Sequence, residues 1–430
     1  MQSLLNELLI FQKNDDSRVL FEAADVVEAA DESLRHRAAN RFIRTVLEMT
    51  DCHGFRGNLW KSCVAYYIAF NENAFSLREE RKRPAATSAS SGKDFFSRHD
   101  GAVLRKLFNF DFGELSEKAG AEMIAQILDY QLRQPDVQEN LTEELKARLE
   151  DATDDEAFYE EIRSFYHENG VGEFGMYKAF TAAEKDGRLQ LIPVQKLGSE
   201  RLEDLIGYEV QKQMLTANTE AFLQRKPANN VLLYGDGGTG KSTSIRALLN
   251  QYGEDGLRII QVYRHQMQWL PDIISKIRDR NYRFLIYMDD LSFEDFETEY
   301  KYLKAVIEGG LEPRPENVLI YATSNRRHFI KETWNDRRDE EHTGEIFRSD
   351  SLEEKRSLAD RFGMQIYYGK PTKEEYHRII DALASREGIQ CSTEELHAEA
   401  TKWEIRHGGV SGRSARQFID YIKGMENETR

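Results

Sequence analysis

Cysteine is scarce in this 430-residue chain, and Cys52, Cys63 and Cys391 are too few and too scattered for a disulfide framework or a zinc site. Long apolar runs are missing too: none approaches the ~18 residues a membrane span needs, so no transmembrane segment and no membrane partner are expected. The opening residues, Met1-Gln2-Ser3-Leu4-Leu5-Asn6-Glu7, lack a basic stretch followed by an apolar block, so no secretory signal is expected. Positive charge is in deficit. With 59 Lys and Arg against 75 Asp and Glu, the net charge is −16, which argues against a surface that attracts nucleic acid generally and leaves room only for a local basic strip in a pore or groove. A soluble protein of the reducing cytoplasm fits these absences, and the length implies two or three domains.

Apolar residues at helical spacing dominate the first part of the chain. Ala39, Phe42, Ile43, Val46 and Leu47 form one stripe, and Leu59, Trp60, Cys63, Val64, Tyr67 and Ile68 a second. Met123, Ile124, Ile127, Leu128 and Leu132 form a third, and Phe158, Tyr159, Ile162, Phe165 and Tyr166 a fourth. An all-helical domain over residues 1–195 follows, interrupted at 81–93 by a basic, then small and polar, segment that reads as a mobile loop. No catalytic constellation and no internal repeat occurs in it; Cys52-His53 is a lone pair.

Downstream, strand and helix patterns alternate, as in a parallel sheet with crossover helices, with strands expected at 231–234, 258–263, 283–289, 317–322 and 364–368. The run Gly235-Asp236-Gly237-Gly238-Thr239-Gly240-Lys241-Ser242, followed by Thr243, satisfies the pattern G-x-x-x-x-G-K-[ST] between an apolar strand and a helix start. Glycines there let successive backbone N–H groups face phosphate oxygens at a helix N-terminus. Lys241 is then expected to reach the β and γ phosphates of ATP, and the Ser242 hydroxyl to ligate Mg²⁺. The strand at 283–289 ends in Asp289-Asp290, 48 residues after Lys241. Ligands of open parallel sheets bind at this end of the strands. Asp289 is placed to hold Mg²⁺ and Asp290 to polarise the attacking water, with Glu294 as the reserve base. Asn325, in Thr323-Ser324-Asn325-Arg326-Arg327-His328, is placed to contact both the γ-phosphate and that water. Three helical patterns, at about 372–386, 393–407 and 411–425, close the chain.

Residues from about 200 to 425 resemble an AAA+ ATPase: phosphate loop, acidic second motif, Thr-Ser-Asn strand end, an Arg before Phe-Gly and a helical lid with an Arg occur in family order. In detail the segments around Val231-Leu232-Leu233-Tyr234, Asp289-Asp290, Thr323-Ser324-Asn325 and Asp360-Arg361-Phe362-Gly363 are similar to an uncharacterised bacterial AAA+-like ATPase family with a helical N-terminal region. The resemblance implies that Leu205-Ile206-Gly207-Tyr208 lies against adenine. It also implies that Arg361, with Arg356 as substitute, acts on a neighbouring subunit's nucleotide, and that Arg413, rather than Arg416, is the lid's sensor. Two departures stand out. Asp-Asp replaces the commoner Asp-Glu, as in replication initiators and helicase loaders, and Gly237 stands where relatives of the subfamily often carry Arg.

The sequence therefore predicts an α/β P-loop AAA+ core (196–370) with a helical lid (371–430) after a helical N-terminal domain. The expected activity is Mg²⁺-dependent ATP hydrolysis promoted by assembly into a ring or arc, on an unknown protein or nucleic-acid client recruited by the N-terminal domain. Two alternatives remain at this stage: a nucleotide-gated loader or scaffold for a nucleic-acid machine with little hydrolysis, and a small-molecule kinase.

Overall fold

The computed structural model describes residues 1–11, 17–81, 93–130, 140–291, 299–308, 314–325, 360–407 and 409–428. They form two compact units, Met1–Met176 and Tyr177–Arg430.

The first unit is helical. Helix α1 (Glu32–His53) starts where the Asp31 carboxylate accepts from the Leu34 N–H and stops at Gly54, whose φ of 68° suits a residue without Cβ. Its stripe of Ala39, Phe42 and Val46 is buried, while Leu47 faces out. Helix α2 (Leu59–Phe70), capped by Asn58, is apolar almost all round and buried almost all round, as the centre of a helical unit must be. Helix α3 (Lys93–Phe108) packs against it, and α4 (Asp155–Glu168) packs on α3 and reaches α2 through Tyr166, the fourth stripe being wholly buried. The third stripe differs from expectation. Residues 122–128 make only a 3-10 turn and one short helix, and Met123 is exposed; the chain leaves the helical conformation at Asp129, and Tyr130 bridges to Gly57, while Leu132 lies outside the described residues.

The second unit is built on a seven-stranded sheet in the order β2-β1-β4-β5-β6-β3-β7. Its strands are β1 (Ala179–Lys185), β2 (Arg188–Pro193), β3 (Val231–Gly235), β4 (Leu257–Gln261), β5 (Arg283–Met288), β6 (Val318–Ser324) and β7 (Met364–Tyr368). All neighbours are parallel except β1 and β2. The five expected strands are present with ends within two residues of their predicted positions, and β5 and β6 are buried on both faces, which is why they read as continuous apolar runs.

The boundary expected at residue 195 is corrected to 176/177. Residues 179–193 are not helical: they form a hairpin on the edge of the sheet, turning at Asp186-Gly187, both with positive φ, between the paired Lys185 and Arg188. Asp-Gly between alternating residues is a two-residue hairpin signal, and Leu189 and Leu191 are buried while their neighbours face out.

Helix α5 (Lys241–Tyr252) follows β3. After β7 come α6 (Lys373–Glu387), α7 (Thr393–Arg406) and α8 (Gly412–Glu428), close to their predicted spans. Tyr376, Ile380, Ala400, Ala415, Phe418 and Ile419 give these three helices an apolar cluster of their own. The architecture implied by the resemblance, a parallel P-loop sheet with a C-terminal helical lid behind a helical N-terminal region, is the one present. Among the described residues no helix is long and apolar enough to cross a membrane.

Candidate nucleotide-binding site

The loop between β3 and α5 takes its shape from its glycines. Gly235, Gly238 and Gly240 have φ of 131°, 76° and 91°, values that an L side chain adopts only under strain. Crowding adds to this: a Cβ on Gly235 would stand 2.2 Å from the Tyr368 carbonyl oxygen, and one on Gly240 2.5 Å from Leu205 Cδ2. At Gly237 a Cβ would meet nothing within 4 Å, so this position has room for a side chain. Hydrogen bonds hold the turn. Thr239 Oγ1 donates to the Asp236 carbonyl at 2.8 Å, the Asp236 N–H donates to Tyr368 O at 3.0 Å, and Asp236 Oδ2 accepts from the Lys370 N–H at 3.1 Å.

Lys241 is 5% exposed and its Nζ donates back into the loop, to Asp236 O at 2.6 Å and Gly235 O at 3.2 Å. Burial lowers its pKa, opposed by the carboxylates of Asp236, Asp290 and Asp289, while the Arg413 guanidinium lowers it further. The acidic pair is therefore electrostatically coupled to the loop lysine.

At the end of β5 a chain of hydrogen bonds links the predicted residues. Ser242 Oγ donates to Asp289 Oδ1 at 2.7 Å. Thr323 Oγ1 donates to the same oxygen at 2.6 Å and accepts from the Asp290 N–H at 2.9 Å. Asn325 Nδ2 donates to Asp290 Oδ1 at 2.8 Å. Burial pushes the Asp289 carboxyl up, but the Thr323 and Ser242 hydroxyls, with Tyr287 beside them, outweigh it and hold the carboxyl below its usual value. The Tyr287 hydroxyl, buried against this carboxylate, is itself pushed up by burial. Asp290 has φ 53°, a left-handed conformation uncommon outside glycine and typical of residues held by their surroundings.

The lid reaches the loop through α8. The Arg413 N–H donates to Gly238 O at 3.3 Å, and a Cβ on Gly238 would stand 3.1 Å from Arg413 Cβ. Arg416 instead pairs with Glu387 and Asp420 within the lid. Ile206 packs on the lid cluster, Gly207 has φ 79°, and Tyr208 stacks on Tyr368 and donates to Gly369 O, so 205–208 runs between lid and sheet beside the loop. Thr243 lies in the first turn of α5.

Arg361 is not brought to this site. It lies before β7, and β3 and β7 run parallel with Gly235 opposite Tyr368, so it sits at the other end of the sheet, roughly 20 Å from the loop at ~3.3 Å per residue. Glu294 and Arg356, the reserve residues, lie outside the described residues, as do Arg326, Arg327, His328 and the basic loop beyond Arg81. Sequence reasoning left two groups unassigned. Tyr287 shares the face of Asp289 by the two-residue period of β5, and Thr323 stands two before Asn325 on β6.

Among solved structures the chain is similar to the Thermotoga maritima RuvB Holliday junction branch migration motor, at 16% identity over 52% of this chain and 72% of that one, with a TM-score of 0.33. A variant of that protein with one arginine replaced by alanine gives 17% identity over 53% and 73%, with the same TM-score. The search of curated proteins gives no match. Residues 176–426 match the family described as "Protein of unknown function (DUF815)", a span that begins at the boundary between the two units. It covers more than half of the sequence, and the chain belongs to that family.

Proposed function

We propose that the protein is an ATP-hydrolysing, Mg²⁺-dependent AAA+ module, activated by self-assembly, which acts on a client recruited by its helical first unit. One observation carries this reading: the continuous hydrogen-bonded path from Ser242 through Asp289, Thr323 and Asp290 to Asn325, beside a glycine loop whose lysine is buried. The residues fit a nucleoside triphosphate. Gly238 and Gly240 hold the positive-φ conformations that a phosphate-cradling loop uses, the start of α5 adds positive potential, and Lys241 can exchange two carbonyl oxygens for phosphate oxygens.

Ser242 and Asp289 supply one hydroxyl and one carboxylate, as suits Mg²⁺, which takes few protein ligands and leaves the rest to water and phosphate. Bound there, the ion would neutralise charge on the phosphate oxygens. Asp290 accepts a proton from water as that water attacks the γ-phosphorus and the bond from phosphorus to the departing ADP oxygen breaks, Asn325 orients Asp290 and the water, and Arg413 adds positive charge at the loop from the lid. The position of Arg361, far from the loop of its own chain, favours action on a neighbour's nucleotide and so favours assembly.

Asp290 also favours a second reading, a nucleotide-gated switch with rare turnover. Its Oδ1 is tied to Asn325 and its backbone is left-handed, which restricts how the carboxylate can be aimed at an attacking water. Phosphate release and binding of a fluorescent ATP analogue separate the two. Under the first reading Lys241→Ala lowers ATP affinity about tenfold to over a hundredfold through loss of a charge-assisted contact. Asp290→Asn keeps ATP bound and stops hydrolysis. Wild-type protein that binds ATP but shows no turnover at any protein concentration supports the switch, and undiminished binding by folded Lys241→Ala rules out both.

A further inference from the structure

On the ATPase reading above, we infer that Thr323 is a positioning residue of the hydrolytic centre: its one hydroxyl sets both acidic residues at once and ties them to the strand that carries Asn325. The sheet explains why such a device is needed. Ladder pairing between β5 and β6 ends at Met288 opposite Ala322, so Asp289 and Asp290 have left the sheet. Nothing in the ladder fixes their side chains. The chain returns at Leu291, whose N–H donates to Thr323 O at 2.6 Å. Between these points Thr323 makes two side-chain bonds, donating to Asp289 Oδ1 at 2.6 Å and accepting from the Asp290 N–H at 2.9 Å.

The chemistry of a hydroxyl makes this arrangement directional. Its single proton is committed to the Asp289 carboxylate, and a lone pair takes the amide proton of the next residue. With 2% exposure, the group has no water to replace either partner. Asp289 Oδ1 then carries two donors, Ser242 and Thr323, which fixes the carboxylate that would help hold Mg²⁺. The Asp290 amide, held by the same hydroxyl, keeps that residue in its left-handed conformation and sends its carboxylate toward Asn325. A strand threonine that served packing alone needs none of these bonds. Here three bonds from one residue over-determine a strained turn, the situation in which strain persists.

Thr323→Val keeps the shape and removes both side-chain bonds, while Thr323→Ser keeps the hydroxyl. For Thr323→Val, turnover at saturating MgATP should fall about tenfold to a hundredfold, the range for a hydrogen bond to a charged group. KM for ATP should stay within about threefold, because the phosphate loop is untouched, and the Mg²⁺ concentration giving half-maximal rate should rise. Thr323→Ser should recover most of the lost rate. A Thr323→Val protein with wild-type turnover and wild-type Mg²⁺ dependence overturns the inference, and so does a Thr323→Ser protein as impaired as the valine variant, since methyl packing would then be the role. Should the valine variant fail to fold, Thr323→Ala removes the hydroxyl without placing a new methyl beside Asp289, and the same criteria apply. If the wild-type protein shows no turnover, the ATPase reading fails by itself. Thr323 is then decided by binding: the valine variant should lose the gain in ATP affinity that Mg²⁺ gives the wild type, and an unchanged gain refutes the positioning role.

Discussion

Both units bury charged and hydroxyl-bearing side chains, but they put them to different ends. In the first unit the fold itself consumes them. Asp100, fully buried, accepts from the backbone N–H groups of Leu9, Ile10 and Phe11 and so anchors the start of the chain to α3. Glu79 is enclosed by Arg78, Arg163 and His167, and the Trp60 and Tyr166 donors end on the carbonyls of Leu107 and Ile68. In the second unit polar groups converge. Buried Lys241 and Thr323, half-buried Ser242 and exposed Asp289 come from two strand ends and one helix start, and all lie at the carboxyl end of the sheet. Burial of a polar group is thus a poor sign of function by itself; convergence from separate elements on one place is the better one.

The contrast can be broken most severely at Arg361. Arg361→Ala should leave each subunit's ATP binding nearly intact and lower assembly-dependent hydrolysis by on the order of 10³–10⁵. Mixing it with Asp290→Asn subunits should restore some activity, because interfaces then form that pair an intact Asp290 with an intact Arg361. No recovery in confirmed mixed oligomers would remove the case for sharing.

A smaller effect is expected at Gly235. Gly235→Ala combines a forbidden φ with a clash against Tyr368 O, so it should abolish ATP binding and cost on the order of 3 kcal/mol in thermal unfolding, whereas Gly237→Ala, in open space, should bind ATP within about threefold of wild type. Equal behaviour of the two would mean that the loop is far softer than its glycines imply.

Asp100→Ala should act on the first unit alone. Three amides lose their acceptor, so its unfolding should come earlier by roughly 2–3 kcal/mol, with ATP affinity changed less than about twofold since the site is built from residues 205–413. A tenfold change in affinity would show the two units to be energetically joined. Gly54→Ala, left-handed but with nothing near its Cβ, should cost only about 1 kcal/mol.

Most of the second unit was legible in the sequence because its inner strands, β5 and β6 above all, are buried on both faces and its phosphate loop is a local signal. The lid helices were legible as three helical patterns, and the structure adds their caps, such as Thr372 with Glu375 and the terminal Gly388. The edge hairpin was missed because Ala179–Pro193 is short and half-polar, and its one firm mark, Asp186-Gly187, was overlooked. In the first unit the third stripe failed where apolar spacing over 122–128 met a turn instead of a helix. The loop, Asp289 and Asp290 could be named from pattern and spacing. Thr323 could not: its importance lies in which atoms its hydroxyl touches, and β6 meets β5 only in three dimensions.

The resting posture of Lys241 has a consequence for selectivity among nucleotides. Its ammonium donates to two carbonyl oxygens of the loop, which ties the side chain to the backbone around it. Capture of a guest is then an exchange reaction, in which phosphate oxygens must outcompete those carbonyls. A longer phosphate chain brings more negative charge to that competition, and a nucleoside monophosphate too short to reach the ammonium gains nothing from it. On the proposed ATPase reading, the loop would rank tri-, di- and monophosphates by whether they can unlatch one side chain.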